Sequence, residues 1–231
     1  MRTLYHIPAR DAMPGGEYHA GMSSWRPFCV AVHLTALGLW AGAVAISGAT
    51  AAVAFPKLHG MEVLIRKPVI APGFEEDHFR FAAGGVAQTV FLIADMVSFA
   101  CAFAAAVTLL AMVVWLKLPT RRVSTYVRAL AVGIALAALA ASLFVVTPQI
   151  NAAAAAHLQA AIAGDAATAA VYRRAAADLH PFASVLLLLQ LGGALIAAFA
   201  GAWSLAEMPA AERSVGKAAY PEPDLLKRKR G

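Results

Sequence analysis

Four long apolar runs, separated by polar stretches, set the pattern of this chain. Residues 83–116, AGGVAQTVFLIADMVSFACAFAAAVTLLAMVVWL, hold one ionisable side chain, Asp95. The run ends at Trp115 and is followed at once by Lys117, Arg121 and Arg122. A helix needs about 20 apolar residues to cross a bilayer core, and this run exceeds that. An aromatic residue followed by cations is the pattern of a helix leaving a membrane on the cytoplasmic side. The other runs cover about 27–55, 129–147 and 181–206. Ser24 is placed to cap the first helix and Pro27 suits its first turn. Pro56 is expected to end that helix, Thr147-Pro148 to end the third span, and His180-Pro181 to open the fourth. Small residues on the first span (Gly38, Gly42, Ser47, Gly48) and the pairs Gly84-Gly85 and Gly192-Gly193 predict close helix packing.

The intervening stretches add local detail. Residues 57–80 form a charged loop with two prolines. Glu75, Glu76 and Asp77 stand where a helix macrodipole favours negative charge, so the second helix is expected to begin before its apolar run and to project beyond it. Residues 149–179 are rich in alanine, the best helix former. Gly164-Asp165 divides them into two helical pieces, with Asp165 placed as an N-cap and the first piece continuing the third span. Residues 1–26 read as an extended polar tail, 27–206 as the transmembrane domain, and 207–231 as a second polar tail ending in Lys227, Arg228, Lys229 and Arg230. The fold class is all-α: a polytopic membrane protein, a four-transmembrane-helix bundle with short extra-membrane helices.

Composition sharpens this reading. Hydrophobic residues make up 61% of the chain and charged residues 14%, against about 45–50% and about 25% in soluble domains. The formal net charge of +6 fits loops and a basic tail facing anionic lipid and does not call for nucleic acid as a partner. Most of the basic residues fall in the two tails and the 117–128 loop, which predicts both termini on the cytoplasmic side of a bacterial inner membrane. No cleavable signal peptide is expected, because the lead to the first run is polar and irregular. Cys29 and Cys101 lie inside apolar runs and read as small buried hydrophobes rather than a disulfide pair.

Few residues carry chemistry. Asp95 is a functional candidate because it is ionisable within a span, although its depth near the outer interface also suits a wetted carboxylate. Gln88, Gln149 and Gln190, with His78 and His180 above them, fall at a similar outer level. His78, Asp95 and His180 form a candidate metal set of the kind that takes Cu, Zn or Ni, but no HxxxH or HExxH spacing supports it. His33 lies in the first span with no second span histidine at its depth, so a bis-histidine haem is not expected. An inter-helix hydrogen bond is its plainer role. Trp40, Trp115 and Trp203 read as packing or lipid-facing aromatics. Phosphate-cradling and nucleophile motifs are absent, so neither a cofactor nor an enzymatic reaction is expected.

Several short motifs resemble a known family. HLTALGLWAGAVAISGATAAVAFPKL carries a His-x(6)-Trp-x-Gly pattern before a proline, the second span opens RFAAGGVAQTVF, the third ends VVTPQINA and the fourth opens DLHPFASVLLLLQLGG. Over about residues 28–205 this order resembles the bacterial four-span membrane proteins of unknown function related to transmembrane protein 205, and more distantly the copper-resistance D-type membrane proteins. The resemblance rests on His33, Trp40, Gly42, Pro56, Pro148 and His180, and it implies a four-helix membrane bundle without an established reaction. Two roles follow. One is a non-enzymatic accessory subunit, its tails (Tyr5, Arg10, Tyr18 and Trp25 in one, Tyr220 and the basic end in the other) docking onto other membrane subunits. The other is a small transporter or copper-type metal-handling protein using the outer His/Asp/Gln cluster.

Overall fold

A computed structural model describes residues 16–59, 74, 77–116 and 123–206, with side chains described at 25–53, 74, 81–116 and 123–205. The described residues form α1 (Gly16–His59), α2 (Asp77–Val114), α3 (Val123–Ala141), α4 (Thr147–Ala163) and α5 (Ala166–Ala206), with a π-helical turn, Ser142–Val146, joining α3 to α4. Four stretches are long and apolar enough to cross a membrane: Trp25–Val53, Phe81–Val114, Val123–Ala163 and Ala166–Leu205.

Several boundaries depart from the sequence expectations. Residues 16–26 are helical rather than an extended tail, so Ser24 and Pro27 lie inside α1. Pro56 does not end α1, which runs on to His59. Nor does Pro181 open a helix; it lies within the 41-residue α5, and His180 therefore caps nothing. A proline removes one backbone hydrogen bond and crowds the preceding turn. In helices of 44 and 41 residues, the bonds on either side hold the rod together. The second helix does begin at Asp77, before its apolar run.

The third span continues into α4, as expected, but through a widened turn. Pro148 cannot donate to the carbonyl one α-turn back. The Thr147 N–H donates to Ser142 O, a five-residue spacing. Such π-turns insert one residue into a helix. The break at Gly164 also matches expectation: its φ of 73° is left-handed, a conformation glycine adopts without steric cost. The Thr168 N–H donates to Asp165 Oδ1 at 3.0 Å. That bond holds the exposed Asp165 carboxyl below its ordinary value of 3.8. The stabilisation from this cap is therefore present above 3.8 and is lost as pH falls through the lowered folded value.

The helices form an up-and-down ring in which α1 packs on α2 and α5, and α3 packs on α5, while α2 and α3 meet only loosely. Small residues set the spacing. The core draws Ala36 and Ala41 from α1, Ala102 and Ala105 from α2, Ala131 and Ala135 from α3, and Ala194 and Ala197 from α5. Around them sit Leu37, Trp40, Val44, Leu109, Met112 and Leu139. The tightest approach is at Gly193, where an added Cβ would lie 2.8 Å from both Ala131 O and Ala135 Cβ. The other glycines expected to pack do not: Gly38, Gly42, Gly48, Gly84, Gly85 and Gly192 have open space where a Cβ would stand.

Gly193→Ala forces α3 and α5 apart and is expected to lower stability by about 1–3 kcal/mol, the usual cost of overpacking. Gly192→Ala is expected to leave thermal unfolding in detergent unchanged. Melting curves of the two purified variants check the contrast.

Candidate functional site

Buried polar side chains lie along the inner stripes of the helices. The α1 stripe runs Val30, His33, Leu37, Trp40, Val44, Ser47, steps of three and four residues that keep one face of a helix inward. On α5 the stripe includes Gln190, Ala194, Ala197, Gly201 and Ser204. On α3 it runs Thr125, Arg128, Ala131, Val132, Ala135, Leu139 and Ser142. Two polar levels result.

At the first level the Trp40 indole N–H donates to Gln190 Oε1 at 3.5 Å, joining α1 to α5. Both residues are enclosed by protein. At the second level His33 Nδ1 lies 3.0 Å from both Ala105 O and Thr108 Oγ1 on α2. A carbonyl only accepts, so the proton sits on Nδ1. The Thr108 hydroxyl donates to Ala104 O at 2.7 Å, which leaves its oxygen free to accept from His33. His33 is thus the expected inter-helix hydrogen bond, fixed in one tautomer, and its enclosed Nε2 has no partner.

Arg128 stands beside this second level. Its side chain is 1% exposed, and its Nε and Nη2 have no hydrogen-bond acceptor. A Cβ built on Gly201 would lie 3.0 Å from Leu34 Cδ2 and 3.4 Å from Arg128 Nη1. The guanidinium therefore lies along α5 at Gly201, next to the α1 turn that holds His33. Thr125 Oγ1 and Ser124 Oγ, on the first turn of α3, are likewise enclosed without partners. Among the described side chains the carboxylates are Asp95, Asp165 and Asp178. Asp95 is about 20 Å along α2 from Thr108, and the other two belong to the far α4–α5 turn and the outer part of α5.

Sequence reasoning treated Arg128 as one more loop cation and missed its burial. The signal was present. Stepping back from Ala135 through Val132 and Ala131 by helical spacing lands on Arg128, which places it on the apolar stripe.

Among the described residues, the members of the expected outer cluster are differently placed. Gln88, Gln149 and His180 are exposed, Asp95 is half-buried beside Ala94, and Gln190 is spent on Trp40. The side chain of His78 lies outside the described residues, as do Lys227, Arg228, Lys229 and Arg230. Among the described residues no three His, Cys, Asp or Glu side chains come together as a metal site. Outside the core, Phe81 of α2 meets His157 of α4 with ring centroids 5.0 Å apart.

Four aromatic side chains mark one end of the ring: Trp25 near the start of the first apolar stretch, Trp115 just past α2, Tyr126 on the first turn of α3 and Trp203 near the end of α5. All four point outward and are exposed. Trp40, in contrast, is wholly enclosed. Compared with protein-family models, curated proteins and solved structures, the chain matches none.

His33→Ala removes the link between α1 and α2 and leaves a cavity. It is expected to destabilise the ring by roughly 2–4 kcal/mol, read as a lower melting temperature in detergent. Thr108→Val removes only the second acceptor and is expected to cost about 1 kcal/mol.

Proposed function

We propose that this chain is a non-enzymatic, multi-pass protein of the bacterial cytoplasmic membrane, an accessory subunit that packs against a helix of a larger membrane complex. The observation that carries the reading is the outward face of α1. Ala31, Thr35, Gly38, Gly42, Ala45 and Ala49 follow one another at helical spacing and are all exposed. Nothing lies within 4 Å of the position of a Cβ on Gly38 or Gly42. The exposed Leu39 and Ile46 flank this row on α1, and the other helices present large apolar groups outward, among them Phe99, Phe103 and Leu110 on α2, Phe144 beyond α3 and Leu188 and Phe199 on α5. Lipid tails pack well against such groups. A small-residue groove with a Gly-xxx-Gly step is suited instead to the close approach of another transmembrane helix.

The aromatic girdle supports the membrane placement. Trp and Tyr concentrate at the boundary between lipid tails and headgroups. Taking Trp25, Trp115, Tyr126 and Trp203 as one boundary, about 20 residues of helix reach the other. That puts the second boundary near Asp95, Pro148 and Pro181, with α4 and the first part of α5 standing outside. The clustering of basic residues in the tails and in residues 117–122 supports a cytoplasmic girdle end and cytoplasmic termini. The tails, with their aromatic and basic residues, are further docking segments for the partner subunits.

In intact cells, a cysteine at the exposed position Thr168 is expected to react with a membrane-impermeant maleimide, and one at the exposed Val123 only after permeabilisation. Labelling of position 123 from outside overturns the orientation. Gly38→Leu with Gly42→Leu is expected to abolish co-purification with partner subunits after mild detergent extraction, while melting of the isolated chain stays unchanged. Undiminished co-purification of the double variant overturns the docking face.

A further inference from the structure

The unpaired guanidinium of Arg128 calls for an anion. A buried ion loses its hydration, which is costly unless a partner of opposite charge is present. Arg128 is almost fully enclosed, two of its nitrogens are without an acceptor, and the described carboxylates are far away. Thr125 and Ser124, three and four residues before it on α3 and so on its side of the helix, carry hydroxyls that are both enclosed and unpartnered. His33 adds no acid, and its proton is committed to Ala105 O and Thr108 Oγ1. The arrangement is one guanidinium fork with two nearby hydroxyl groups, which is the donor set that recognises a phosphate oxyanion.

Depth narrows the source. Arg128 is about 3 Å along α3 from Tyr126, and Gly201 about 3 Å along α5 from Trp203. The guanidinium therefore lies level with Tyr126 and Trp203, about 10 Å along the helices from the level of Trp25 and Trp115, at the end of the ring where outward aromatics mark the boundary between lipid tails and headgroups. We propose that the ends of α1, α3 and α5 form a binding site for a phosphate oxyanion, held by Arg128 with Thr125 and Ser124, which in the membrane is the headgroup of an anionic phospholipid. This site is separate from the α1 docking face and stands without it.

The test uses the full chain, purified and delipidated in a non-ionic detergent. Melting is followed with added phosphatidylglycerol, phosphatidylcholine or inorganic phosphate, and retained lipid is counted by native mass spectrometry. Phosphatidylglycerol is expected to raise the melting temperature and to remain bound as a discrete adduct. Arg128→Met keeps the side-chain volume and removes the charge. It is expected to fold, to lose at least tenfold in affinity for phosphatidylglycerol, and to melt no lower than the lipid-free wild type. Stabilisation by phosphatidylglycerol alone identifies a lipid headgroup site; stabilisation by inorganic phosphate as well identifies a site for the free anion too. Both support the oxyanion assignment. It is overturned if neither phosphatidylglycerol nor phosphate shifts the wild type, which would leave a carboxylate of the chain itself as the counter-ion. Equal adducts and shifts in wild type and Arg128→Met overturn it as well. Should Arg128→Met not fold, Thr125→Val with Ser124→Ala gives the second reading, and unchanged lipid affinity in that variant overturns the assignment.

Discussion

The structure depends on how closely the helices approach one another, and alanine sets that distance. With Ala102 and Ala105 of α2 and Ala36 and Leu37 of α1 in one core cluster, the backbone of α2 lies within reach of a side chain from α1. His33 can therefore bond a main-chain carbonyl, Ala105 O, that already serves its own helix. Bulkier residues at these positions would separate the helices and leave the imidazole enclosed with no acceptor, a cost of about 1–3 kcal/mol. The same logic holds between α3 and α5, where the missing Cβ of Gly193 admits the Ala131 carbonyl. For helices in lipid, where apolar tails compete with any greasy contact, association rests on close fit and on the few polar bonds it allows.

Close packing also explains why so few interior polar groups suffice. Trp40 with Gln190 and His33 with Thr108 each tie α1 to a different neighbour. α1 is thereby fixed on two sides, which leaves its opposite face, lined with small residues, as the open one. A helix pinned in this way presents the Gly38-Gly42 groove in one orientation. A partner helix would then meet a preformed surface, and less ordering would accompany association.

Much of the architecture was legible because it follows from local rules. Apolar run length gave the four long stretches. Gly164 and Asp165 marked the turn between α4 and α5 through a left-handed glycine and a side-chain cap, both local effects. The extension of α2 to Asp77 followed from clustered acids at its start. What was not legible depends on neighbours. Pro56 and Pro181 look like helix ends, yet each costs a helix only a bond or so, and long flanking helices absorb that loss. The spacing of Gly38 and Gly42 reveals that they share a face, but not that this face turns away from the bundle, because rotation is set by where His33 and Trp40 find their partners. Gln88, Gln149 and Gln190 were expected at one level, yet Gln190 points inward about 20 Å along α5 from Trp203, whereas Gln88 is exposed about 40 Å along α2 from Trp115. Depth can be counted along a sequence, whereas azimuth needs the packing.

α5 is one uninterrupted rod of 41 residues, and it crosses α3 closely at Gly193. That crossing divides it unequally, with about 40 Å of helix toward Ala166 and about 20 Å toward Ala206. The rod is therefore a lever with its fulcrum at Gly193. A sideways push on the outer α4–α5 tip swings the opposite end the other way, through roughly half the distance if the rod stays straight. That shorter arm carries Gly201, against which the Arg128 side chain lies. Mechanical input on one side of the bundle is thus geared down and reversed in direction at the guanidinium on the other.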